Sequence, residues 1–150
     1  MNEWQILTPL STVKVGIKLW MLTRAMKFNT PEGKFKVPVG FLFDHASVPR
    51  IFTRIVPPVK SAIAEASVLH DWFYNKESKD VPRKFADECL KELTRVRGGS
   101  KALCFNAHTA VRLGGGGLYN KIYFEEKMVD VYPEHKGLTA KELKLKILRR

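Results

Sequence analysis

Acidic side chains are few in this chain. Fifteen Asp and Glu stand against twenty-six Lys and Arg, a formal charge of +11, which draws anionic partners: nucleic acid, anionic lipid or cell wall. Cysteine is scarcer still. Cys89 and Cys104 are too few for a disulfide framework, and each sits in an apolar helical pattern, as small buried hydrophobes do in a reducing compartment. No apolar run approaches the roughly 18 residues of a membrane span. The opening Met-Asn-Glu-Trp-Gln-Ile lacks the basic and apolar regions of a signal peptide, so neither export nor a transmembrane segment is expected. There is no G-x-S-x-G elbow to make Ser47 a serine-hydrolase nucleophile, and Gly114 to Gly117 lacks the ordered Lys and Ser/Thr of a P-loop. Sequence alone shows no electropositive setting for Cys89, which argues against a cysteine nucleophile.

Apolar bulk is plentiful. Hydrophobic residues make up 45% of 150, with nine Phe, four Tyr and three Trp, enough to offset the ordering entropy of one core. We expect one domain over 1–150: mainly β over 1–43, an irregular site loop over 44–60, helical over 61–113, and a β segment with a basic C-terminal helix over 118–150. The expected fold class is α+β, an N-terminal antiparallel β region packed on a C-terminal helical region of three to four helices.

Local signals place these elements. Val13, Val15, Ile17 and Leu19 alternate with Lys14, Gly16, Lys18 and Trp20, the period of a strand. Thr30-Pro31-Glu32-Gly33 is a turn between strands at Met26–Asn29 and Lys34–Val37. Pro49, Pro57 and Pro58 break the segment from Asp44 onward. Ser61 is placed to cap a deeply buried helix bearing Ile63, Ala64, Ala66, Val68, Leu69, Trp72 and Phe73. Pro82 opens a second helix, with Phe85, Ala86, Cys89, Leu90, Leu93 and Val96 on one face, which Gly98-Gly99 ends. Ser100 caps a third over Lys101 to Leu113. Tyr119 to Phe124 reads as extended, and Thr139 with Glu142 forms a capping box for a last helix.

The sharpest anomaly is His70-Asp71 in the middle of the most apolar helix, where an ionisable pair is costly unless partnered or used. Tyr74 shares a face with His70 one turn on, while Asp71 points about 100° away. Asp87 lies at the apolar edge of the next helix. Two helices with a short connection pack antiparallel, so Asp87 should reach His70 or Tyr74. A carboxylate on one imidazole nitrogen fixes the tautomer and leaves the other as a base for water. The same residues also read as satisfied core polars, with Asp71 a surface charge. The run Asp44-His45-Ala46-Ser47-Val48-Pro49-Arg50 is a second candidate. Asp44 with Asp71 would suit Ca²⁺ or Mg²⁺, adding His45 or His70 would favour Zn²⁺, and a local turn bonded by Asp44 and Ser47 is the plainer alternative. His108 with Arg112 one turn later could bind an anion or be structural.

Three ordered motifs carry a resemblance: V-P-x-G-F-x-x-D-x-A-S-x-P-R from Val37 to Arg50, A-x-x-L-H-D-W-x-Y from Ala66 to Tyr74, and R-x-x-A-D from Arg83 to Asp87. Together they resemble the phage and prophage family called domain of unknown function one-three-five-three, over roughly residues 35 to 115. His45 stands where that pattern has a small residue. The H-D-x-x-Y helix followed by an A-D helix also looks like the catalytic helix pair of phospholipases A2. That likeness implies that His70 activates water, Asp71 binds Ca²⁺, Tyr74 braces the site and Asp87 orients His70. The glycine-rich calcium loop and the disulfides of secreted members are missing.

Two functions follow as expectations. One is a phage-derived, metal-assisted hydrolase of lipid esters or other ester, amide or phosphodiester bonds. The other is a non-enzymatic virion component of tail or neck, or an assembly protein, whose basic surface meets nucleic acid or other virion proteins. Either implies the host cytoplasm or the virion as location. A host-defence inhibitor or nucleic-acid binder also fits size and charge.

Overall fold

The computed structural model describes residues 3–16, 19–43, 62–75, 81–114 and 140–149. Its N-terminal part forms two three-stranded antiparallel sheets. In the first, β1 (Gln5–Ile6) pairs with β4 (Met26–Thr30), which pairs with β5 (Gly33–Val37); in the second, β2 (Thr12–Gly16), β3 (Leu19–Leu22) and β6 (Leu42–Phe43) lie in that order. The strand expected across Val13 to Trp20 is a hairpin instead. Lys14 faces Trp20 and Gly16 faces Leu19, with a register irregularity between Lys14 and Gly16. The period of two continues on both sides of the reversal, so alternation alone could not reveal it.

The second hairpin falls where its turn residues put it. Thr30 Oγ1 accepts from Glu32 N at 3.2 Å and donates to Gly33 O at 3.0 Å. Gly33 closes the loop at φ +133°, a conformation L side chains rarely adopt. Along β4, Met26, Phe28 and Thr30 are buried while Lys27 is exposed. The apolar face of this sheet meets the helices through Phe35, edge-on to Phe73 at 4.9 Å and 5.9 Å from Phe85.

Among the described residues four helices follow: α1 (Ile63–Tyr74), α2 (Arg83–Val96), α3 (Lys101–Gly114) and α4 (Ala140–Leu148). The expected α+β arrangement of strands packed on helices is what the chain adopts. Ten of the twelve α1 residues are buried, so polar groups on that helix must find protein partners. Ser61, its expected cap, lies outside the described residues; Ala62 at the N-cap supplies no side-chain bond. Pro82 is the N-cap of α2, one residue before the position expected, and its carbonyl accepts from Phe85 and Ala86. Gly98, at φ +92°, ends α2 with a bond from Gly99 N to Thr94 O at 2.9 Å. Ser100 Oγ accepts from Leu103 N at 3.0 Å and caps α3 as expected. The Arg97 guanidinium engages both carboxylate oxygens of Glu65 and ties the end of α2 to the start of α1. The Tyr119–Phe124 segment and Thr139 lie outside the described residues. Among the described residues, no helix is long and apolar enough to cross a membrane.

Candidate functional site

The site is built where α1, α2 and α3 meet. The antiparallel pairing of α1 and α2 brings Asp87 onto His70, whose Nε2 lies 3.0 Å from Asp87 Oδ1. Tyr74, one turn after His70, donates its hydroxyl to the same oxygen at 2.5 Å, and its ring lies 4.2 Å from the imidazole. Arg112 of α3 donates from Nη1 to Asp87 Oδ2 at 2.9 Å. Arg83, one turn before Asp87, places Nε 3.7 Å from Oδ2 and donates to Tyr74 Oη at 3.2 Å. Its Nη2 donates to the carbonyls of Val111 (2.7 Å) and Arg112 (2.6 Å). A guanidinium at the last carbonyls of α3 also complements the negative end of the helix dipole.

Burial sets the electrostatics. Asp87 is 0% exposed, Asp71 1% and His70 3%, so the alternative of Asp71 as a surface charge does not hold. Burial alone would raise the Asp87 carboxyl, but hydrogen bonds from His70, Tyr74 and Arg112 outweigh it and hold the group below its ordinary value. Burial pulls His70 down, yet Asp71 and Asp87 overcome it and the imidazole sits above its ordinary 6.5. The Asp71 carboxylate is 3.6 Å from Nδ1. Burial, reinforced by Asp87, pushes the Tyr74 phenol up and keeps it a donor, against the opposing pull of Arg83.

Four expected residues are therefore brought together: His70, Tyr74, Asp87 and Arg83, with Asp71 beside His70. Asp44, His45, Ser47 and Arg50 lie outside the described residues, so the pairing of Asp44 with Asp71 is not seen. Among the described residues, no group of three or more His, Cys, Asp and Glu is set to hold a metal ion. Arg112 is the member that sequence reasoning missed. Helical spacing pairs it with His108, but the two engage different carboxylates of α2: His108 Nε2 lies 3.7 Å from Glu88 and Arg112 binds Asp87. The signal for Arg83 was legible, since R-x-x-A-D spaces it one helical turn from Asp87. Cys89 is buried and free, and burial pushes its thiol up, away from nucleophilic use.

Chemically, the arrangement is an imidazole anchored at Nε2 by an ionised, fully buried carboxylate, with a second carboxylate toward Nδ1. The family described as "Protein of unknown function (DUF1353)" matches residues 20–111. The chain belongs to DUF1353. All three helices that build the site fall largely inside that match. A further similarity is to "Uncharacterized protein y4jT" of Sinorhizobium fredii (strain NBRC 101917 / NGR234), 38% identical over 72 residues, covering 45% of this chain and 21% of the relative. The chain thus spans about a fifth of the length of that curated relative. No solved structure matches the chain.

Proposed function

We propose that this DUF1353 protein is a hydrolase in which His70 activates water and Asp87 holds it in place, acting on a carboxylic ester of the lipid kind. The observation that carries the reading is the 3.0 Å contact of His70 Nε2 with an Asp87 oxygen that Tyr74 also binds. With Nε2 engaged, Nδ1 is the basic atom. In the reaction, a water gives its proton to Nδ1 while its oxygen adds to the ester carbonyl carbon. The tetrahedral intermediate then breaks its bond to the leaving alkoxide, which takes the proton back from His70. Asp87 stabilises the imidazolium that forms between these steps, and Arg83, Arg112 and Tyr74 keep Asp87 ionised and oriented. A divalent cation, Ca²⁺ before Mg²⁺ or Zn²⁺, held by Asp71 with Asp44, would supply positive charge for the developing oxyanion. The H-D-x-x-Y and A-D helix pair supports this reading by its likeness to phospholipases A2, and a phage or prophage origin would suit a role at host lipid or cell wall.

A second reading is favoured by one observation: Asp87 collects side chains from three helices, as a structural lock would. On that reading the chain is a virion or assembly component without turnover. Hydrolysis of phospholipid vesicles and of an aryl ester, with each of the three cations, separates the two. The hydrolase reading expects turnover that falls by about 100-fold or more in His70→Gln while the fold survives. Failure of the wild-type protein to hydrolyse either substrate with any of the cations contradicts it and leaves the lock.

A further inference from the structure

On β4 and β5 the outward side chains are Lys27, Asn29, Lys34 and Lys36, and Lys27 lies directly across from Lys36 in the strand register. Like charges facing each other across a strand pair destabilise it, so this register works against the hairpin it belongs to. Neither strand carries an acidic residue. Among the described residues, none of the three lysines forms an ion pair. Alternation gives the opposite face to Met26, Phe28, Phe35 and Val37, which pack toward the helices. The lysine face therefore points away from His70.

We infer that this outer sheet face is a docking surface for the phosphate backbone of a nucleic acid. Lys34 and Lys36 are two residues apart on one strand, about 7 Å, and Lys27 stands about 5 Å across from Lys36. Three charges fixed that closely on a rigid hairpin match a row of phosphates, and their mutual repulsion is relieved when phosphates lie between them. A membrane-docking face would pair its basic residues with inserting apolar ones. β4 and β5 offer no apolar side chain outward, while Asn29 hydrogen-bonds Gln5 of β1 (2.9 Å) and extends the polar face to the sheet edge. The surface is independent of the hydrolytic reading.

The test uses the full chain with a labelled 20-base-pair duplex, a 20-nucleotide single strand and phosphatidylcholine/phosphatidylglycerol vesicles, over a range of salt concentrations. Wild type should bind nucleic acid with an affinity that falls steeply with salt. In Lys27→Gln/Lys34→Gln/Lys36→Gln the slope should decrease by about 2 to 3 and affinity should drop about 10- to 100-fold. Lys36→Glu alone should weaken binding while raising Tm by about 1–3 °C, because it turns a repulsive cross-strand pair into an attractive one. Unfolding cannot produce that combination. Absence of wild-type binding, binding unchanged in the triple variant, salt dependence carried wholly by Lys141, Lys146 and Arg149, or a triple variant that loses only vesicle binding would each overturn the inference.

Discussion

Replacing Asp87 by Asn removes one charge and almost no volume, and the structure sets the size of the effect. Asp87 is 0% exposed and accepts from His70, Tyr74 and Arg112. An amide can still accept from Tyr74, so that bond survives in weaker form. With the amide oxygen in the place of Oδ1, the His70 pair loses its ionic part, and the amide NH2 in the place of Oδ2 meets Arg112 donor against donor, so that bond is lost. A bond to a charged group contributes about 1.5–3 kcal/mol, and breaking a buried pair by removing one partner costs about 3–5 kcal/mol. Arg112 has a 38% exposed side chain and can turn to water, so its share is discounted. The expected loss is roughly 2–4 kcal/mol, or a Tm drop of roughly 5–12 °C for a chain this size.

The pH dependence of that loss is also determined. His70 is raised in the folded state, so its contribution is complete below 6.5 and disappears as pH rises through the higher folded value. Asp87 is lowered, so its contribution is complete above 3.8 and disappears as pH falls through its folded value. The difference between wild type and Asp87→Asn should be greatest between those two limits and shrink toward pH 9. Urea denaturation followed by tryptophan fluorescence at pH 5.5 and pH 9 measures it. A loss under about 0.5 kcal/mol, or one that grows between pH 5.5 and 9, would mean that Asp87 is not the stabilising ionic partner of His70.

Arg112→Gln should cost only about 0.5–1 kcal/mol, since the guanidinium is partly solvated, and chemical denaturation will show whether it exceeds that range. In the proposed reaction the same change should lower kcat with little effect on KM, because Arg112 acts through Asp87 and does not touch substrate. Gly98→Ala should destabilise by about 1–2 kcal/mol. A Cβ there would meet nothing within 4 Å, so the cost comes from the φ of +92° alone, and Gly98→Asn should be milder in the same thermal melts.

Much of this arrangement was legible where the signal is local. The Thr30–Gly33 turn, the Ser100 cap and the Gly98 stop each follow from one residue type at one backbone conformation, and each is present. The approach of Asp87 to His70 and Tyr74 was also legible, because helical spacing and a short connection leave few ways for α1 and α2 to pack. What was hidden depended on tertiary context. The reversal between Gly16 and Leu19 interrupts an alternation that reads as continuous. Asp71 is buried because nearly every side of α1 is covered, which a helical wheel of one helix does not reveal. Arg112 reaches Asp87 from 25 residues away in sequence, on a third helix whose rotation no local pattern dictates.

In the proposed mechanism Asp87 holds His70 at Nε2 and leaves Nδ1 as the basic atom. Nitrogen-15 NMR of the His70 ring, assigned by comparison with His70→Gln, tests it most directly across pH 5 to 9. Nε2 should stay protonated throughout while Nδ1 titrates above 6.5. A ring that carries its neutral-form proton on Nδ1, or that titrates below 6.5, would contradict it.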